Sequence, residues 1–153
     1  SKKYRGYTDF RAQLLPIFKF FVERFKLDSL RRFGFRYVNA IPFSREGGMI
    51  PLGRYFKSKF SLSPEMPDSV EHCAVSLVQK MGIGQVITKI EALKHQNTGE
   101  DAILLDLDYF RTSDLKATGF EKYLDEAHSG AKHFFENIIT DDYREFLRGK
   151  PLV

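Results

Sequence analysis

The chain has 153 residues and a mass of 17.8 kDa, which is the size of one ordinary domain. Hydrophobic residues make up 42% of it and charged residues 29%, a composition typical of globular proteins. The single cysteine, Cys73, excludes an internal disulfide framework and is expected to be a buried, unreactive thiol. Because there is no apolar run of about 18 residues and no signal-peptide start, the sequence predicts a cytoplasmic protein with no membrane contact.

Charge is unevenly divided along the chain. Residues 1–60 carry 14 Lys and Arg against 4 Asp and Glu, whereas residues 61–153 carry 10 against 16. This division predicts either a front half that binds a polyanion, or two halves that compensate each other within the fold or across a dimer. Compensation within the fold is the favoured interpretation.

The first predicted element is a helix over residues 8–26. Its apolar residues recur at steps of three and four, which places them in one stripe: Phe10, Leu14, Ile17, Phe18, Phe21, Val22 and Phe25. Thr8 is expected to cap the helix, and Pro16 removes one hydrogen bond from its interior. The stripe predicts a helix that packs on a sheet.

Four strands are predicted next, at residues 30–41, 70–81, 85–95 and 101–111. The first alternates with a period of two, so one face carries Phe33, Phe35, Tyr37, Asn39 and Ile41 and the other carries Arg32, Gly34, Arg36, Val38 and Ala40. Short glycine-bearing loops make the last three strands antiparallel neighbours. A helical turn is expected at residues 53–57, between the first strand and the second.

Two helices close the predicted fold. A long helix follows an apolar stripe from Phe120 to Ile138, with Ser113 or Thr118 as its cap, and Thr140 starts a short final helix. The chain is predicted to be a single α+β domain over residues 1–153. In it, a mainly antiparallel sheet of about four strands carries the amino-terminal helix and the long carboxy-terminal helix on one face.

The sequence contains none of the strong catalytic or nucleotide-binding motifs, such as a Walker loop, HExxH, CxxC or GxSxG. Asp106 and Asp108 form its best carboxylate pair, because residues two apart on a strand project from one face at about 6.5–7 Å. That spacing suits a divalent cation or an acid–base pair, and it equally suits a solvated face or ion pairs with Arg32 and Arg36. Ion pairing is the favoured interpretation, and no cofactor or metal is predicted.

The four histidines are not grouped by spacing. His72 and His95 are placed to face each other on neighbouring strands, whereas His128 and His133 lie about 140° apart on the long helix. His128 follows Asp125 by about one turn, so one interpretation is an imidazole oriented by a carboxylate. A hydrogen-bonded histidine at the edge of the core is the favoured interpretation.

Cations and aromatic rings are interleaved in the first sixty residues, a composition found at surfaces that bind single strands or RNA. The candidate residues for such a surface are Lys2, Lys3, Arg5, Arg54, Lys57 and Lys59. These residues lie in two segments, 2–7 and 54–60, and neither segment matches a known RNA-binding signature. Nucleic-acid binding is therefore an alternative that is not favoured.

Several short sequence motifs occur in the order and spacing that are typical of a known family. They are Tyr4-Arg5-Gly6-Tyr7-x-x-Phe10, Phe33-Gly34-Phe35-Arg36-Tyr37-x-Asn39, Leu105-Asp106-Leu107-Asp108-Tyr109-Phe110, and Leu124-x-x-Ala127-His128 followed by Phe134-x-x-x-Ile138-Ile139-Thr140-Asp141. Over nearly the whole chain the sequence resembles a family of uncharacterised bacterial and archaeal proteins with a sporadic distribution among genomes. Members of that family are longer at the amino end, which implies that the chain is a fragment of a longer protein.

The resemblance implies no established activity, cofactor or catalytic residue. The sporadic occurrence of the family suggests accessory genes of the defence or toxin–antitoxin type. The family pattern includes five polar residues, which form the candidate polar site: Arg36, Asn39, Asp106, Asp108 and His128.

We therefore expect a binding or interaction module, more consistent with a non-enzyme than with an enzyme, that forms a homodimer or binds a protein partner. One alternative is a small-ligand or enzymatic pocket in which four side chains converge: Arg36, Asn39, Asp108 and His128. The other alternative is nucleic-acid binding through residues 1–60.

Overall fold

The computed structural model describes residues 6–57, 69–94, 99–113 and 115–150. Within these ranges the α-helices are α1 (Tyr7–Phe25), α2 (Leu52–Tyr55), α3 (Phe120–Ile138) and α4 (Asp141–Leu147). The strands are β1 (Phe33–Pro42), β2 (Ala74–Met81), β3 (Gly84–Lys94) and β4 (Asp101–Arg111). None of these helices combines the length and the apolar character needed to cross a membrane.

The four strands form one antiparallel sheet in the order β1-β4-β3-β2. Each of the last three strands pairs with its neighbour in the sequence, as the short loops predicted, and β1 adds to the free edge of β4. Arg36 of β1 lies opposite Asp108 of β4 in this register. Because side chains alternate along a strand, the odd-numbered residues of β1 and β4 share one face and the even-numbered residues share the other.

The odd-numbered face of β1 and β4 carries two adjoining hydrophobic cores. One core lies beneath the start of α3 and includes Phe33, Phe35, Tyr109 and Leu124. The other lies toward α2 and α4 and is built around Ile41, Ile50, Ile103, Leu105, Ile139 and Tyr143. The predicted α+β architecture, with both long helices on one side of the sheet, is confirmed.

Helix α1 lies on the same side as α3 but is much less buried. Phe18 stacks on Phe120 at the start of α3, with ring centroids 3.6 Å apart, and Tyr7 contacts Phe35 edge-on at 6.1 Å. Within α1 only Leu15 is buried. Leu14, Phe18 and Val22 are half-buried. Five large apolar side chains of α1 are 39–61% exposed, and we call them the outer stripe: Phe10, Ile17, Phe20, Phe21 and Phe25.

The predicted cap of α1 is wrong. The helix begins at Tyr7, one residue before Thr8, and runs unbroken through Pro16 to Phe25. Its N-cap is Gly6 at φ 103°, a backbone conformation that favours glycine because a Cβ atom would be strained there. Thr8 therefore lies inside the first turn and does not cap the helix.

The two carboxy-terminal helices differ in how they begin. Neither Ser113 nor Thr118 caps α3, since Thr118 lies in a 3₁₀ turn over Ala117–Gly119 that leads directly into the helix without a side-chain cap. Thr140 caps α4 as predicted, and its Oγ1 accepts a hydrogen bond from the backbone N–H of Tyr143 at 3.2 Å.

Candidate functional site

The predicted aspartate pair lies on the even-numbered face of β4, on the opposite side of the sheet from α1 and α3. Arg36 donates two hydrogen bonds of 2.7 Å to Asp106, one from Nε to Oδ1 and one from Nη2 to Oδ2. Arg32 donates to Asp108 Oδ2 at 3.2 Å, and its guanidinium lies 5.0 Å from the centre of the Phe110 ring. Each carboxylate is therefore paired with an arginine, as the favoured interpretation predicted.

The contact between Arg36 and Asp106 is a bidentate, charge-assisted hydrogen bond. Asp106 is only 4% exposed, so the guanidinium has taken the place of water around its carboxylate. The hydrogen bonds to Asp106 raise the pKa of Arg36 above its usual value. The described ranges contain no group of three side chains suited to hold a metal ion. This arrangement favours a structural role for the aspartate pair over a catalytic one.

His128 lies on the other side of the sheet, where α3 meets β1. Its Nδ1 shares a hydrogen bond of 2.6 Å with the Tyr37 hydroxyl, and its ring stacks on that of Tyr7 with centroids 3.6 Å apart and planes 4° apart. Burial lowers the pKa of His128, Lys132 lowers it further, and Asp125 acts in the opposite direction. The imidazole is therefore neutral at pH 7. Its partner is a tyrosine, not the carboxylate that was the alternative.

Asp125 is bound by α1 instead. The Tyr7 hydroxyl donates to Asp125 Oδ1 at 2.6 Å, and Arg11 donates from Nε at 2.8 Å and from Nη2 at 3.0 Å. The bond from Arg11 is the main reason that the pKa of Asp125 is lowered, and the bond from Tyr7 adds to it. Arg11 also pairs with Glu121. This cluster fixes the amino-terminal half of α1 to α3.

A cavity of about 150 Å³ opens between α3 and β1, and its lining residues are Tyr37, Asn39, Leu107, His128, Ala131, Lys132 and Phe135. Positions three, four and seven residues after His128 lie on one face of a helix, so a single face of α3 supplies four lining residues. Of the five residues in the candidate polar site, the cavity brings together Asn39 and His128.

The predicted pocket of Arg36, Asn39, Asp108 and His128 is wrong as a single site. Arg36 and Asn39 are three residues apart on β1, and an odd separation on a strand places two side chains on opposite faces. The sheet therefore separates Arg36 and Asp108 from Asn39 and His128. The five candidate residues belong to two sites, an ion-paired face and a small cavity.

Two of the cations assigned to nucleic-acid binding are paired with acidic side chains. Arg54 contacts Glu46 at 3.1 Å and Lys57 contacts Asp141 at 3.7 Å. The other four lie outside the described residues: Lys2, Lys3, Arg5 and Lys59. Pairing leaves less positive charge for a polyanion at these two positions.

Ion pairs between the basic and the acidic half compensate part of the uneven charge. Five cations from residues 1–60 pair with acidic residues beyond position 100: Arg11 with Glu121 and Asp125, Arg32 with Asp108, Arg36 with Asp106, Arg45 with Asp101, and Lys57 with Asp141. Charge compensation within the fold is thus confirmed for these five cations.

The remaining candidates are structural or lie outside the described ranges. Cys73 is buried in the core, and burial raises the pKa of its thiol, which makes the nucleophilic thiolate scarcer, as expected. His133 is exposed on α3 and contacts Asn137 of the same helix. The predicted pairing of His72 with His95 involves a residue outside the described ranges.

Four residues around His128 were not predicted as part of a site: Tyr7, Arg11, Tyr37 and Lys132. The sequence spacing indicates a place for Lys132 near His128, since it follows His128 by four residues and so shares its helix face. The alternation of β1 likewise indicates a place for Tyr37, because it lies on the inward face of the strand with Asn39. The contacts of Tyr7 and Arg11 with Asp125 span 118 and 114 residues, and no local pattern indicates them.

Comparisons with protein-family models, with curated proteins and with solved structures found no match for this chain. The class that the structure itself defines is an α+β protein with an open, four-stranded antiparallel sheet covered by helices on one face.

Proposed function

We propose that this chain is a non-enzymatic interaction module that self-associates through the outer stripe of α1. The observation that carries the proposal is that all five side chains of the outer stripe are 39–61% exposed. A row of large apolar side chains at the surface marks an interaction site, because water is a poor solvent for it.

The outer stripe forms one continuous row. Phe10, Ile17, Phe21 and Phe25 follow each other at steps of seven, four and four residues, so they lie along one side of the helix over about 22 Å. The bonds from Tyr7 and Arg11 to Asp125 hold an adjoining side of α1 against α3. Phe10 also touches the core, with its ring 6.1 Å from that of Phe35, and the rest of the outer stripe lies at the surface, where it is available to a second molecule.

Charge beside the outer stripe favours a second copy of the chain as its partner. Asp9 and Arg24 lie along the same edge of the stripe, near its opposite ends, and within the described residues neither forms an ion pair. When two copies of a helix pack antiparallel about a twofold axis, the same edge of each helix comes together. The Asp9 of each copy then meets the Arg24 of the other, which gives two ion pairs per dimer.

The area of the outer stripe fits a reversible dimer. Five large side chains that each bury on the order of 100 Å² remove about 1,000 Å² in total from water when two copies pair. That is close to the smallest area expected of a specific interface, about 1,000 Å². A dimer that dissociates on dilution follows from this area.

The other functions have less support. Both aspartates of the carboxylate pair are bound by arginines, and Arg54 and Lys57 are bound by acidic residues. A cytoplasmic location and an accessory role of the defence or toxin–antitoxin type remain part of the proposal. The location is supported by a single, unpaired cysteine, and the role by the family resemblance alone.

Sedimentation equilibrium tests the proposal. We expect the mass of the wild-type chain to rise from 17.8 kDa toward twice that value between about 1 and 100 µM. Phe21→Glu is expected to keep the chain monomeric, because it places a charge within the apolar interface. Ala12→Glu is the matched control: it adds the same charge to an exposed position on the opposite side of α1, and the dimer is expected to persist.

A charge exchange tests the antiparallel arrangement. Asp9→Arg and Arg24→Asp are each expected to weaken the dimer, and the double variant is expected to restore it, because the ion pair re-forms with reversed polarity. A wild-type chain that stays monomeric over the whole range would overturn the proposal. So would a monomer that instead binds phospholipid vesicles through Phe21, since the partner of the outer stripe would then be lipid.

A further inference from the structure

We propose that the cavity between α3 and β1 is a binding site for a small carboxylate with an apolar body. The inner part of the cavity is apolar and is formed by Leu107, Ala131 and Phe135. Its volume of about 150 Å³ is that of a cavity that accepts a benzene ring. Size and lining together select a ligand of one ring or one short branched chain.

Polar atoms that have no partner among the described residues lie around this apolar part. Lys132 makes no ion pair with any described residue, because Glu136, which follows it by one helical turn, is bound by Arg144 at 2.6 Å. The side-chain amide of Asn39 has no hydrogen bond within the described ranges. His128 uses Nδ1 for its bond to Tyr37, and its Nε2 has no partner among those residues. These groups can bind a polar end of a ligand.

The charge around the cavity favours an anion. Lys132 is the ionised residue of the lining, and the pKa of His128 is lowered partly by its positive charge. Asp125 is the nearby acidic group, but Arg11 and Tyr7 occupy its carboxylate. The field of Lys132 is therefore not cancelled by Asp125.

The arrangement predicts how the ligand is held. The Lys132 ammonium and the Asn39 amide bind the carboxylate, while the apolar body packs on Leu107 and Phe135. A carboxylate bound there stabilises the charged form of the imidazole, so it is expected to raise the pKa of His128. The α1 and β1 groups that face this histidine are Tyr7 and Tyr37, which carry no charge at pH 7.

An NMR titration of the His128 imidazole tests the proposal, with benzoate as the probe and benzyl alcohol as its uncharged analogue. We expect saturable shifts with benzoate, a higher His128 pKa at saturation, and binding of the alcohol weaker by about tenfold or more. Lys132→Met is expected to weaken benzoate binding by about tenfold or more. Lys122→Met removes a lysine elsewhere on α3 and is expected to leave it unchanged.

The Phe21→Glu variant serves as the background for all these titrations, so that self-association and ligand binding succeed or fail separately. Circular dichroism confirms that each variant is folded. The proposal is overturned if benzoate causes no saturable shift, if the alcohol binds equally well, or if Lys132→Met binds benzoate as tightly as Lys122→Met does. The last two results would mean that apolar contact alone fills the cavity.

Discussion

Helices α1 and α3 are both 19 residues long, both carry an apolar stripe, and both lie on the same side of the sheet. Helix α3 buries Tyr123, Leu124, Ala127 and Ala131, whereas α1 buries only Leu15. The stripe of α3 meets the sheet, and that of α1 is divided between a narrow contact with α3 and β1 and the exposed outer stripe. An apolar periodicity thus predicts that a helix face needs a partner, but it does not predict which partner.

The two stripes differ in width and in the size of their side chains. Helix α3 presents small residues at its contact with the sheet, Ala127 and Ala131, so its backbone approaches closely and the stripe is covered by one surface. The apolar arc of α1 runs from Phe20 round to Leu15, about 220° at 100° per residue, compared with about 100° for a helix that packs on one core. One surface cannot cover an arc of that width.

The largest expected contrast between the two helices is in stability. Leu124→Ala removes a side chain that is 1% exposed, and it is expected to lower the free energy of unfolding by about 2–5 kcal/mol. Ile17→Ala changes a residue that is 55% exposed, and it is expected to change that free energy by less than about 0.5 kcal/mol in the monomer. Urea unfolding in the Phe21→Glu background measures both, and similar losses would contradict the contrast.

A smaller effect is expected when the contact between the helices is weakened. Arg11→Ala removes the bonds to Asp125 and Glu121, so hydrogen exchange of α1 amides is expected to become several-fold faster while exchange within α3 changes little. Lys19→Ala, an exposed position on the same helix, is the control and is expected to leave exchange unchanged. Equal acceleration in both helices would mean that α1 and α3 open as one unit.

The smallest expected effect is a pH dependence carried by α3. The pKa of His128 is lowered from 6.5 in the folded chain, so the unfolded chain binds more protons as the solution is acidified. The contribution of the neutral His128 imidazole to the free energy of unfolding is therefore present above about pH 6.5, and it is lost as the pH falls through the folded-state pKa. The pKa of Asp125 is lowered from 3.8, so protonation of Asp125 affects stability only at a pH below the range in which His128 titrates.

Thermal unfolding between about pH 7 and pH 5 measures this dependence. His128→Gln is expected to remove part of the fall in melting temperature, and His133→Gln, on the exposed side of the same helix, is expected to retain it. A fall of the same size in both variants would show that His128 does not carry the dependence.

Elements fixed by local patterns were predictable from the sequence. Strand β4 spans the predicted residues 101–111, because its alternation is regular and both of its ends are marked by polar residues. The pairing of Asp106 and Asp108 with arginines was predictable as well, since the alternation of β1 places Arg32 and Arg36 on one face. Both features follow from the alternation of side chains along a strand, which has a period of two residues.

Features that depend on distant residues were not predictable. Thr8 is a good capping residue by type, yet α1 begins one residue earlier, and this start is accompanied by contacts of Tyr7 with Asp125 and His128. A stacking partner and a carboxylate on α3 are absent from any local pattern around Tyr7. Of the cavity lining only Asn39 and His128 were predicted to share a pocket, since the lining comes from three separate elements, β1, β4 and α3.

The pairing of β1 with β4 has a consequence for the order in which the chain is completed on the ribosome. Phe33 lies opposite Arg111, so the start of β1 gains its neighbour only after the following 78 residues (111 − 33) have been translated. Arg11 and its partner Asp125 are separated by 114 residues, so an even longer stretch is translated between them. During that interval the nascent chain carries an excess of cations and the phenylalanine-rich α1 segment, neither of which has yet met its native partner. The basic residues of β1 and of the loop after it are thus translated well before the acidic residues of β4 that pair with them.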